Sequence, residues 1–168
     1  DRQAMIGANR FILDEAVASG AVELRAGLNI AEDGPVDEAF QRSIEPLLDF
    51  TGDSDKTKEF LEGLKIKGDV QNLEKNDLAR LCTAITLKLL MQGSSAADSV
   101  IGEVIRLKHE VVENSLEMVQ LLNACGNRDV PGLGLTLCMR DKSALGEARR
   151  LASDYKGHIL KEINALRE

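Results

Sequence analysis

Apolar positions along this chain recur mostly at steps of three and four, the spacing that lines one face of a helix. In "GANRFILDEAVASG", Phe11, Ile12, Ala16 and Val17 share such a face, and Gly20 suits the left-handed position that closes a helix. "AVELRAGLNI" reads as a short extended piece. "EDGPVDEAF" marks a turn, then a helix with acids in its first turn, as the helix dipole favours; Pro46 ends or kinks it. Beyond the loop "FTGDSD", a short helix carries Phe60, Leu61 and Leu64 on one stripe, and Gly68-Asp69 turns the chain again. The strongest pattern is "NDLARLCTAITLKLLMQG". There Leu78, Leu81, Cys82, Ile85 and Leu89 recur helically, Asn76 or Asp77 can cap the start, and Gly93 stops it. Its other faces are apolar too, through Ala84, Leu87, Leu90 and Met91, which predicts a central helix covered on several sides.

"GSSAADS" reads as a linker or cap, leading to an apolar helix around Val100–Leu107 and another around Ser115–Ala124. A polar corner follows, Gly126-Asn127-Arg128-Asp129, closed by Pro131, Gly132 and Gly134. The next stretch, "GLGLTLCM", is a short helix or strand; periodicity does not decide between them. From Asp141, a suitable cap, Leu145, Ala148, Ala152, Tyr155, Ile159, Ile163 and Leu166 step by three and four along one long amphipathic helix. No repeat and no low-complexity tract interrupts the pattern. It predicts a mainly α fold: a compact helical domain with a long C-terminal connector helix and at most one minor strand pair. The chain opens at Asp1 in mid-pattern and closes without a helix stop, so a piece of a longer protein is expected.

Composition narrows the chemistry. A chain of 168 residues supports one good core or two small ones. Four Phe, one Tyr and no Trp leave the core to aliphatic side chains and argue against aromatic base-stacking platforms. No apolar run reaches the roughly 20 residues of a membrane span and no signal peptide is visible, so no membrane partner and a cytoplasmic location are expected. The three cysteines, Cys82, Cys125 and Cys138, form no CxxC pair and read as buried reduced thiols. Two histidines without ligand spacing do not support a structural zinc.

The net charge of −7 is uneven. Residues 1–124 carry 13 Lys/Arg against 22 Asp/Glu, whereas residues 125–168 carry 8 against 6. Phosphate contacts, if made, belong to the C-terminal quarter. There Lys142, Arg149 and Lys156 recur every seven residues, a spacing that suits a track for a nucleic-acid backbone. Glycine-rich phosphate loops of the Walker or Rossmann type are absent, and "GLG" at 132–134 lacks the spacing. Nothing suggests a Ser-His-Asp or Cys-His pairing. The acidic pairs Asp14-Glu15, Asp37-Glu38 and Asp53/Asp55 read as solvated charge and helix capping. On residues alone the chain is not a self-contained enzyme.

"LLNACGNRDVPGLGLTLCMRD", followed by a long helix, resembles the RecJ branch of the DHH phosphoesterases. That family has a stretch similar to L-N-A-x-G-R, an apolar segment ending in Asp, and a long helix joining the two halves of the nuclease. The Cys in "NACG" resembles the archaeal RecJ-like, GINS-associated nucleases in particular. "DRQAMIGANRFILDEAVASGAVEL" is similar to the exit of the family's DHH domain, where an Asp is followed by G-x-N-R and a helix. "NDLARLCTAITLKLLMQG" is similar to the helical segment before "NACG". Together these stretches cover about half the chain, in the family's order.

The resemblance implies the middle of such a protein: the end of the DHH domain over 1–30, a helical insertion or interaction domain over 31–112, and a connector over 113–168 towards the second domain. The longer protein would be a 5′-to-3′ exonuclease on single-stranded DNA or RNA in archaeal replication or repair, using Mn or Mg held by residues upstream. Asp1 aligns with one family metal ligand, but a lone carboxylate cannot hold a catalytic pair, and no cofactor is expected in the chain itself. One alternative is a scaffold of a catalytically inactive replication-helicase factor, binding the GINS complex through residues 30–110. Another is a helical oligomerisation domain. The family places an Arg after the motif's Gly, near the bound strand's 5′ phosphate. Here Asn127 stands there and Arg128 comes one place later. Two readings stay open: Gly126 and Gly132 let the turn re-form so that Arg128 takes the phosphate, or Arg128 is solvated or paired with Asp129.

Overall fold

Helix is the rule and strand the exception among the residues that the computed structural model describes, which are 5–30, 34–98 and 100–167. The predicted metal residue Asp1, residues 32 and 33 of the turn expected before Val36, and Ser99 of the expected linker lie outside them. The elements are α1 (Gly7–Ala18), β1 (Val22–Leu28), α2 (Val36–Arg42), α3 (Ser54–Leu64), α4 (Lys75–Met91), β2 (Ile101–Leu107), α5 (Ser115–Asn127), α6 (Pro131–Cys138) and α7 (Leu145–Arg167). This is the expected mainly α architecture with one strand pair and a long final helix.

The strand pair is antiparallel, from Val22 opposite Leu107 to Leu28 opposite Ile101. The helix expected over 100–107 is therefore corrected to a strand. Its run is short and rich in β-branched Val100, Ile101, Val104 and Ile105, and its partner lies some seventy residues upstream, beyond local patterning. The pairing continues past both ends, through Asn29 N–H to Val100 O at 2.8 Å and Lys108 N–H to Ala21 O at 2.9 Å. The described residues between the strands form one mainly helical body, closed off by this ladder.

Two apolar cores result. The first gathers Phe40, Leu48, Phe50, Leu61, Ile66, Leu81, Ile85 and Leu89 under β1, α2, α3 and α4. The second gathers Met118, Leu121, Ala124, Cys125, Leu137, Ala148 and Ala152 where α5, α6 and α7 meet. Asn114, 2 % exposed, ties one to the other. Its side-chain oxygen accepts from Leu116 N–H to cap α5, and its amide donates to Ile30 O at 3.2 Å.

Several helix ends follow the sequence. Gly20 and Gly93 take positive φ after α1 and α4, and Asp53 caps α3 by accepting from Asp55 and Lys56 N–H. Others depart from it. The residue before α4 is Glu74, which makes no side-chain cap, so neither Asn76 nor Asp77 caps that helix. The inward residue of α1 is Leu13, while Phe11 is 66 % exposed. α4 is covered on one side only: Leu81, Ile85 and Leu89 are buried, but Leu87, Leu90 and Met91 face outward. Cys82 and Cys125 are buried, and burial pushes both thiols up; Cys138, expected to be buried, is exposed. The undecided segment after the corner is helical, as α6. No helix among the described residues is long and apolar enough to cross a membrane.

Candidate functional site

The polar corner is a helix cap built without glycine. α5 ends at Asn127; Asp129 N–H bonds back to Gly126 O at 3.2 Å and Val130 N–H to Cys125 O at 2.9 Å. These are the two bonds of a Schellman motif, and its left-handed residue is Asp129, at φ 58°. Asp tolerates that region better than most side chains, because its short polar group bonds locally. Gly126 lies inside α5 and Gly132 inside α6, so the expectation that these glycines shape the turn is corrected. Gly134 has a packing role instead: a Cβ there would sit 3.4 Å from Cys125 Cβ and from Leu122 Cδ2, where α6 crosses α5.

On this corner Asn127 donates its amide to Tyr155 Oη at 3.1 Å, joining the end of α5 to α7. Arg128 is exposed, and among the described residues its guanidinium has no partner; it is not paired with Asp129. Lys142 sits in the 3-10 turn Lys142–Ala144 before α7, not on the face of that helix. Asp141 caps this turn, and hydrogen bonds from Ser143 hold its carboxyl below the usual range.

The other two predicted cations do converge. Arg149 and Lys156 line one cleft of about 410 Å³ between α5, α7 and the end of α2, with the buried Leu121 and Ala152 also on its wall. Sequence reading missed three further lining residues: Arg42 on α2, and Glu117 and Gln120 on α5. Arg149 Nε donates to Glu117 Oε1 at 2.8 Å, and Arg42 Nη2 lies 3.1 Å from Glu38 Oε2 in an ion pair. Each guanidinium thus spends one nitrogen on its partner and keeps other N–H donors. Gln120 Oε1 is buried and has no hydrogen-bond partner among the described residues. Arg128 is not part of this cleft. It lies eleven residues along α5 from Glu117, about 16 Å at the helical rise.

Among the described residues no group of three or more His, Cys, Asp or Glu side chains is placed to hold a metal ion.

No family profile matches the chain. It is similar to an uncharacterized protein of Methanocaldococcus jannaschii, with 21% identity over 165 residues, 97% of this chain and 37% of that protein. The chain thus spans little more than a third of that relative's length.

Proposed function

We propose that this chain is the non-catalytic helical middle of a longer RecJ-like, metal-dependent exonuclease, and that its corner and α7 hold the phosphate backbone of a single strand. One observation carries this reading. A helix, a left-handed corner, a short apolar helix, an Asp cap and a 23-residue helix follow one another in the order the family resemblance implies, with Arg128 exposed at the corner and without a partner among the described residues. The resemblance puts Mn or Mg, and the groups that hold it, upstream in the longer protein. Arg149 and Lys156 on α7 add positive charge beside the strand's path.

The test is degradation of a single-stranded oligonucleotide with added Mn²⁺. The longer protein shortens it from the 5′ end, while this chain alone leaves it intact. Clear degradation by the purified chain, or an inert longer protein, removes the reading.

The outer face of α4 favours a second reading, docking to the GINS complex. Leu87, Leu90 and Met91 lie at helical spacing and are 55 %, 58 % and 87 % exposed, on a body whose charge is net acidic. Leu90→Glu abolishes a titratable GINS interaction if this face is used. Unchanged binding by that variant removes it.

A further inference from the structure

We infer that the cleft between α2, α5 and α7 is a second anion site, separate from the corner, that takes a nucleoside monophosphate. Its cations come from helices of both units: Arg42 on α2 and Arg149 and Lys156 on α7. Among the described residues Glu117 is the one carboxylate on the cleft wall, and Arg149 already holds it. The wall is therefore net positive, and the guanidinium nitrogens left over after the Glu38 and Glu117 bonds can take a phosphate's oxygens as pairs of parallel donors.

The rest of the cleft asks for more than a bare anion. A volume of about 410 Å³ lies in the range of small-molecule sites. Leu121, Ala152 and Leu160 give it an apolar side suited to a sugar and base edge. Gln120 also lines the cleft, and its Oε1, buried and without a partner among the described residues, becomes an acceptor for a ligand hydroxyl or amine once the side chain turns toward the cleft. An anionic head, an apolar body and a hydrogen-bond donor together describe a mononucleotide. Such a ligand would bridge α2 to α7, so binding also fastens one core to the other.

The ligand can be a free mononucleotide or the end of a strand, and the proposal does not depend on the longer protein cleaving anything. Titration calorimetry on this chain separates the cases. Thymidine 5′-monophosphate is expected to bind saturably, more tightly than inorganic phosphate or thymidine. Saturation only by a 5′-phosphorylated oligonucleotide assigns the same cleft to a strand end. Arg149→Gln weakens binding by about tenfold or more, the low end for a charge-assisted hydrogen bond. Arg42→Gln does the same, and it is the safer variant because Arg42 is 62 % exposed and bonds only within its own helix. Glu117→Gln tightens binding, since it removes the competing negative charge and leaves Arg149 only a neutral acceptor. No saturable binding of any probe, or binding that ignores Arg42→Gln and Glu117→Gln, overturns the inference. Mononucleotide binding alongside an inert longer protein would leave this site standing and remove only the nuclease reading.

Discussion

The two cores are filled by opposite means. The first is packed by volume: Phe40, Leu48, Phe50, Ile66, Leu81, Ile85 and Leu89 are nearly inaccessible to solvent. The second is packed by closeness: Ala124, Cys125, Ala148 and Ala152 are its buried small residues on α5 and α7, and Gly134 lets α6 press onto α5. A core of large side chains is sensitive to removal of atoms, and one of small side chains to their addition. The difference bears on function too. Small residues bring α5 near enough to α7 for Glu117 to reach Arg149 and for Asn127 to reach Tyr155. The second unit is a tight frame for charged side chains, whereas the first is a bulkier body with an apolar outer face.

Phe40→Ala should have the largest effect, because the ring is fully buried and its removal leaves a cavity in the first core. We expect a loss of about 3–5 kcal/mol in chemical denaturation. In the second core the reverse change does the damage. Ala148, 0 % exposed between helices, should cost about 1–3 kcal/mol as Ala148→Leu through forced repacking. A smaller loss there than for a Leu placed on the exposed side of α7 would contradict the close-packed description. Asn114→Ala removes both the α5 cap and the bond to Ile30 O, so about 1–2 kcal/mol should be lost in the same assay. The smallest effect is a gain. Gly126→Ala lies inside a helix with open space around the new Cβ and should stabilise by up to about 1 kcal/mol. Gly93→Ala, at φ 68°, should destabilise instead.

That last contrast marks how far the sequence was legible. Gly20 and Gly93 announced their helix ends because glycine is the usual left-handed residue. Lys65, Asp129 and Arg140 take the same conformation with side chains that give no such signal, so the opening of the corner was visible and its geometry was not. β2 was misread because a ladder joining residues 22–28 to 101–107 leaves no local trace, and the weight of Gly102 and four β-branched residues against a helix was missed. Periodicity showed that α4 is strongly apolar, but not that its Leu87, Leu90 and Met91 side would stay uncovered. At the candidate site, the repeat of seven gave Arg149 and Lys156, while Lys142 fell out because the helix starts three residues after it. Arg42 was out of reach, more than a hundred positions away in the chain. Glu117 and Gln120 looked like ordinary polar positions on an amphipathic helix.

If the two units divide the work as proposed, the contact to a strand's 5′ phosphate sits on the second, at Arg128, and protein contacts on the first. The direct measurement is fluorescence anisotropy of 5′-phosphorylated and 5′-hydroxyl single strands on the longer protein, comparing Arg128→Ala with Leu90→Glu. Arg128→Ala should weaken the phosphorylated strand by about 1–3 kcal/mol, as for a charge-assisted hydrogen bond, and the hydroxyl strand less. Leu90→Glu should leave both strands unchanged. Equal loss for both strands with Arg128→Ala, no loss for either, or weakened strand binding by Leu90→Glu would contradict the division.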